Sequence, residues 1–364
     1  MNIFENWKLR IENYIFMSDI FHVSRILGLA TLAFVFALAW MPALIHFLKK
    51  YRLGKQIRSE GAPIFAELHQ KKEGTPTAGG ILIWGTVLLF TLLFWWLGKI
   101  FPESILGELN FLTRGETLLP LGVLIASALV GLGDDLMGVF NIGPNGGGLR
   151  MRHRSVIYTV IAAFGAWWFY WKLDWDLIHV PFVGDFNIGW WYILVFMFVI
   201  VATAFSVNET DGLDGLSGGI LLIAFASYGV IAFSQGKMNL AVLCGVIIGG
   251  LLAFLWNNIY PAKFFMGDTG AMSLGITLGV IAMLTNAFLL LPFIGFVLVM
   301  ESASVIIQVV SKKIRRKKVF LSAPIHHHFE AKGWPETKIT MRFWMINGVM
   351  AVIGLVLAFV EKMV

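Results

Sequence analysis

Between Gly215 and Phe233, and again between Leu240 and Trp256, the chain carries no charged residue. Uncharged stretches of this length decide what the chain can become. A helix needs roughly 20 apolar residues to cross the hydrocarbon core of a bilayer, and it satisfies its own backbone hydrogen bonds there. The sequence holds ten such candidates: Val23–Leu48, Gly79–Leu97, Leu118–Gly133, Ser155–Trp171, Trp190–Phe205, Gly215–Phe233, Leu240–Trp256, Ala271–Asn286, Ala287–Val310 and Phe343–Val360. The eighth and ninth run together, with only Thr285, Asn286 and Pro292 as punctuation. Read as one helix they would give nine spans and put the termini on opposite sides. Composition agrees with a polytopic membrane protein: of 364 residues 58% are hydrophobic and 14% charged, against about 25% charged in soluble domains.

Basic residues orient the spans. With ten of them, the loops on one side carry 20 of the 28 Lys and Arg residues. That side is expected to be cytoplasmic, with both termini outside. Nine spans would move the KKIRRKK cluster (Lys312–Lys318) outside, against the rule. The net charge of +6 therefore reports topology, and no nucleic-acid partner is expected. The single cysteine, Cys244, excludes an intrachain disulfide. Residues 1–22 lack the basic-then-apolar layout of a cleaved signal and are expected to form a short amphipathic interfacial segment. Residues 23–364 are expected to form one all-α integral membrane domain.

The polar motifs do not scatter over both faces. HQKKEGTPTAGG (His69–Gly80), GLGDDLMG (Gly131–Gly138), VNETDGLDGLSGG (Val207–Gly219), NNIYPAKFFMGDTG (Asn257–Gly270) and APIHHHFE (Ala323–Glu330) all fall at inner helix ends or inner loops. Together they predict a polar cleft open to the cytoplasm. Asp134 and Asp135 stand where an ionised carboxylate is costly, so they face water, a partner or an ion. A pair merely solvated beyond the hydrocarbon is the plainer alternative. Two adjacent carboxylates repel, which suits a proton acceptor beside a cation. Asp211 and Asp214 would share a face on a helix. Asp268 could be a helix cap or a metal ligand. An all-oxygen donor set suits Mg²⁺, which binds through one or two carboxylates, water and substrate phosphates. Lys72, Thr75, Thr77 and the RMRHR cluster offer charge and hydroxyls to a polyanion. Three consecutive histidines splay apart, so His326, His327 and His328 are unlike a single metal site. Glu301 lies inside the ninth span, where a carboxylate is a functional candidate or an interhelical hydrogen-bonding group. GPNGGG (Gly143–Gly148) reads as a flexible connection.

The motifs KEGTPTAGG, GDDLMG, NETDGLDGL, NNIYPAKFFMGDTG, ESASVIIQV and APIHHHFE, in this order, resemble those of the phospho-N-acetylmuramoyl-pentapeptide transferases, from about Lys49 to the C-terminus. The broader polyprenyl-phosphate sugar-1-phosphate transferases share the aspartates; APIHHHFE points to the muramoyl-pentapeptide branch. The resemblance implies Mg²⁺-dependent transfer of phospho-MurNAc-pentapeptide from UDP-MurNAc-pentapeptide to undecaprenyl phosphate, giving lipid I and UMP. It implies a homodimer in the bacterial cytoplasmic (inner) membrane, among membrane lipids. By motif, Asp134 would be the base with Asp135 beside it, and Asp268 would ligate Mg²⁺. Asp211, Asp214, Asn208, Lys72 and Thr77 would lie in the nucleotide part of the cleft. Phe265 would stack near the uracil, and Asn258, Gln308, His326 and His327 would complete the site, with His328 and Arg154 on substrate phosphates. The chain departs from the family at Phe205-Ser206-Val207, at Glu209, usually apolar, and at Arg154, usually lysine. The rival expectations are a GlcNAc-1-phosphate transferase and, from another class, a secondary transporter.

Overall fold

The computed structural model describes residues 3–54, 72–143 and 147–363, and the side chains of residues 3–17 and 362 are not described. The first helix, α1 (Ile3–Lys50), ends on Lys49 and Lys50. No break in it marks the boundary expected after residue 22. Then come α2 (Ile81–Ile100), the short α3 (Ile105–Glu108), α4 (Leu118–Val139) and α5 (Met151–Trp167), which runs into a π-helical turn at Trp168–Lys172. A two-stranded antiparallel hairpin, β1 (Leu177–Val180) with β2 (Gly184–Asn187), precedes α6 (Trp191–Thr210). The remaining helices are α7 (Leu216–Ser234), α8 (Met238–Asn258), α9 (Gly267–Leu284), α10 (Leu291–Ile294), α11 (Phe296–Arg315), α12 (Ile325–Ala331) and α13 (Glu336–Val360). The protein is all-α but for the hairpin, which sequence reasoning does not anticipate.

Among the described residues, eight helices are each long and apolar enough to cross a membrane. A further apolar pair, Phe288–Ile294 and Phe296–Arg315, meets at 87° and makes a ninth when the two are counted as one bent span. The fourth expected span, Ser155–Trp171, falls on α5, whose 17 residues run into the π-helical turn and are not among the eight. The doubtful split between the eighth and ninth spans is real, since Thr285–Ala287 separates α9 from the broken crossing and Asn286 has φ +50°. The bend frees backbone groups inside the bundle, and they must be satisfied there. Asn347 of α13, fully buried, does so: its Nδ2 donates to Ile294 O at 3.0 Å and its Oδ1 accepts from Val297 N at 3.1 Å.

The core is built around α9, whose apolar window is 94% buried. It packs on α4 and α6 through small residues. A Cβ at Gly131 would lie 2.4 Å from Asp268 O, so α4 meets the start of α9 backbone to backbone. That contact fixes where the inner ends of the two helices stand, and with them their aspartates.

Candidate active site

Four inner helix ends bring their polar residues to one place. Asp134 projects from the last turns of α4, Arg154 from the first turn of α5, Asn208 from the end of α6 and Asp268 from the start of α9. One guanidinium nitrogen, Nη2 of Arg154, lies 2.7 Å from both Asp134 Oδ2 and Asp268 Oδ2. Nη1 of Arg154 donates to Asn208 Oδ1 at 3.3 Å, and Asn208 Nδ2 donates to Asp268 Oδ1 at 2.5 Å. Asp134 is buried, while the Arg154 and Asp268 side chains keep about a fifth of their surface exposed (19% and 20%). Leu149 N, just past the glycine loop, donates to Asp134 Oδ1 at 2.6 Å. The stretch expected to be a flexible connection, Gly143–Gly148, is followed directly by this contact; residues 144–146 lie outside the described residues.

Asp135 is turned elsewhere. Successive helical side chains diverge, and Asp135 caps α9: its Oδ1 accepts from Asp268 N and its Oδ2 from Thr269 N, both at 3.0 Å. Thr77 Oγ1 adds a bond to Oδ1 at 3.3 Å. A carboxylate at a helix N-terminus is favoured by the helix dipole. The geometry gives Asp135 and Thr77 a positioning task, which is to hold the first turn of α9 and the Asp268 on it.

A second cluster lies beside the first. Lys72 Nζ is 2.7 Å from Asp214 Oδ1 and 2.6 Å from Glu336 Oε1. Asp214 Oδ2 accepts from Ala262 N at 2.9 Å, and Glu336 Oε1 accepts from Asp214 N at 2.5 Å. Asn258 bridges Gly215 N and Phe264 O. These bonds tie the hairpin after α6 to the loop before α9 and to the start of α13. Asp211 and Asp214 do not share a helix face as expected, because α6 ends at Thr210 and both residues sit in the turn beyond it. Asp211 Oδ1 accepts from Ser217 Oγ at 2.6 Å. Phe265, half-buried, lies in the strap pinned to Pro76 and Gly79 by backbone bonds of 2.8 and 2.7 Å. His69–Lys71 of the lysine motif lie outside the described residues.

The histidines do splay apart. His326 is fully buried, with Nδ1 3.0 Å from the equally buried Glu301 Oε2 but poorly aligned for a hydrogen bond. Its ring abuts Gly212, where a Cβ would come within 2.2 Å of Nε2. Only glycine leaves room for that imidazole beside the aspartate turn. His327 Nδ1 is 2.6 Å from Glu330 Oε2. His328 Nδ1 accepts from Leu321 N at 3.1 Å, and burial with the neighbouring Lys332 lowers its pKa. Gln308 Oε1 accepts from Val319 N and Phe320 N, and its Nε2 donates to Phe320 O. Gln308 and His328 therefore both hold the segment after α11. Sequence reasoning missed Glu336. Its signal was slight, an acidic residue after Pro335 at the start of the last span.

Comparison with known proteins places the chain in a family. Residues 117–286, which include Asp134, Arg154, Asn208 and Asp268, match Glycosyl transferase family 4. The chain is 38% identical over 351 residues to the phospho-N-acetylmuramoyl-pentapeptide-transferase of Chloroflexus aggregans, covering 93% of this chain and 90% of that protein. It is 38% identical to the same-named protein of Levilactobacillus brevis (88% and 94%) and 37% to that of Geobacillus thermodenitrificans (89% and 94%). The chain belongs to the phospho-N-acetylmuramoyl-pentapeptide-transferase family. Members of this family are phosphoglycosyl transferases of peptidoglycan precursor synthesis, and this multi-pass membrane protein is one. The cluster around Arg154 is the candidate active site of that transferase.

Proposed function

We propose that the chain transfers phospho-MurNAc-pentapeptide from UDP-MurNAc-pentapeptide to undecaprenyl phosphate, giving lipid I and UMP. The observation that supports it best is the junction of Asp134, Arg154, Asn208 and Asp268, two carboxylates and a cation where the ends of four apolar helices meet. A lipid phosphate can approach such a junction from the bilayer while a soluble nucleotide approaches from the cytoplasm. An oxygen of the lipid phosphate attacks the sugar-bearing phosphorus, a new P–O–P linkage forms, and the bond to UMP breaks. The nucleophile is already an anion, so positioning and charge neutralisation suffice.

Mg²⁺ belongs to this reading. Among the described residues no group of three or more His, Cys, Asp or Glu side chains is arranged to hold a metal. Asp134 and Asp268 nevertheless converge on one cationic nitrogen, and Asn208 adds a carbonyl oxygen. Two carboxylates completed by substrate phosphates and water fit the needs of Mg²⁺. Bound there, the ion would neutralise charge on the pyrophosphate and the leaving UMP. Asp268 and Asn208 would hold it, Asp134 would take any proton carried by the attacking phosphate, and Arg154 would contact a phosphate oxygen. The site faces the cytoplasm in this reading, the protein lies in the bacterial cytoplasmic membrane, and it works as a homodimer.

The test is transfer of radiolabel on purified protein with UDP-MurNAc-pentapeptide, undecaprenyl phosphate and Mg²⁺. Lipid-linked label, lost on adding EDTA and absent from Asp268→Ala, is expected. A folded parent that labels lipid from UDP-GlcNAc instead would overturn the substrate assignment.

A further inference from the structure

At the end of the bundle opposite the candidate site, α1, the end of α3 and the start of α8 line an open cavity of about 510 Å³. Arg25 of α1 forms its floor and is only 7% exposed. Its Nη2 donates to Asn110 O at 2.7 Å and to Asn239 Oδ1 at 2.9 Å. Its Nε is buried without a hydrogen-bond partner, as is Nδ1 of His22, one turn away on the same wall. Glu108 and Glu116 are the carboxylates that act on Arg25 electrostatically, yet neither makes an ion pair with it among the described residues. Glu116 is already engaged, accepting from Asn239 N and Leu240 N at the start of α8, both at 3.1 Å. Glu108 is exposed at the rim. A largely buried guanidinium on the wall of a cavity, with no carboxylate paired to it, is costly unless an anionic acceptor arrives.

Depth identifies the acceptor. Lys49 and Lys50 close α1 at the inner face. From Leu48 back to Arg25 the helix rises about 35 Å, slightly more than the ~30 Å hydrocarbon core. Arg25 therefore stands at the headgroup level of the opposite leaflet. The flank of α1 inward of it exposes Leu27 and Leu32, a surface for acyl chains. Glu108 ends α3, is exposed, and lines the same cavity. The cavity thus offers a cation at phosphate depth and an exposed anion beside it.

We propose that this cavity is a headgroup site for an aminophospholipid of the leaflet opposite the candidate active site, with the phosphodiester on Arg25 and the primary ammonium on Glu108. Guanidinium and phosphate match in geometry as well as charge. Glu108 separates this ligand from a purely anionic lipid, which it would repel.

The experiment is lipid binding to the delipidated full chain in detergent, read by native mass spectrometry with phosphatidylethanolamine, phosphatidylglycerol and inorganic phosphate as probes. The parent is expected to retain phosphatidylethanolamine in preference to phosphatidylglycerol, undisturbed by millimolar phosphate. Arg25→Gln should weaken phosphatidylethanolamine binding about tenfold, and Glu108→Gln should erase the preference while leaving the anionic lipid bound. Equal retention of the two lipids by the parent overturns the proposal, as does displacement by inorganic phosphate or an Arg25→Gln protein that binds as the parent does. Should Arg25→Gln fail to fold, the exposed Glu108→Gln variant decides alone: an unchanged preference overturns the assignment.

Discussion

The two cation-centred clusters at the inner end of the bundle look alike and are built differently. Lys72 joins Asp214 and Glu336, and both carboxylates also grip main-chain N–H groups, those of Ala262 and Asp214. Opening that cluster means moving backbone. Arg154 joins Asp134 and Asp268, and the Asp268 carboxylate is held by two side chains, Arg154 and Asn208. Those Asp268 bonds can be exchanged for bonds to a substrate phosphate or a cation without disturbing a loop, while Asp134 stays tied to the main chain at Leu149 N. On the proposed function the difference would separate a fastening, at Lys72, from a reactive centre, at Arg154, although sequence places nearly all of these residues in the same set of motifs.

The contrast can be broken from either side. Asp268→Asn keeps the volume of the side chain and removes its charge. If the Arg154 cluster is the reactive centre, transfer activity falls roughly 100-fold or more, while thermal unfolding in detergent stays near that of the parent. A large loss of thermal stability with activity per folded molecule preserved would reverse the two assignments. Lys72→Met should show the opposite balance. It leaves two carboxylates facing each other with little solvent, and unfolding should become easier by about 2–3 kcal/mol, somewhat less than for a fully buried pair. Arg154→Lys sharpens the comparison further. Since a single nitrogen of Arg154 touches both carboxylates, one ammonium can replace it, and activity should drop by no more than about tenfold. A complete loss would mean that the bond from Nη1 to Asn208 is indispensable.

Why sequence revealed one kind of fact and not the other is visible in these residues. The spans were legible because an uncharged run has a single suitable environment. The break at Gly295 was not, because it depends on Asn347, fifty-two residues later in the chain, to satisfy the freed carbonyl and amide. Asp134, Arg154, Asn208 and Asp268 were all named from motifs, and the fold brings them together. The separate tasks of Asp134 and Asp135 were hidden, since adjacent carboxylates diverge on a helix and only the position of α9 decides which one it captures. Glu336 was missed for the same reason: its partners, Lys72 and Asp214, lie more than a hundred residues away.

The smallest expected effect lies at the opposite end of the bundle and sets a limit on the comparison. There His179 of β1 bridges two carboxylates, with Nδ1 2.6 Å from Asp185 and Nε2 2.6 Å from Glu361. Glu361 also accepts from Phe182 N at 2.9 Å, so the cluster fastens the hairpin to the end of α13. Burial pulls the imidazole pKa down, but hydrogen bonds and charge from Asp185 and Glu361 outweigh it, and the folded value lies above the ordinary 6.5. A raised folded value stabilises the protonated form. The contribution is therefore complete below about pH 6.5 and is lost as pH rises through the folded value. The side chain is about one-third exposed (32%), and solvent screening holds the gain to about 1 kcal/mol or less. Melting followed against pH should show the parent losing this increment on the alkaline side while His179→Gln does not. Transfer activity, measured at the far end of the bundle, should be the same for both proteins at each pH. A pH-dependent difference in activity would show that the two ends are coupled, and that a fastening here also acts on the reactive centre.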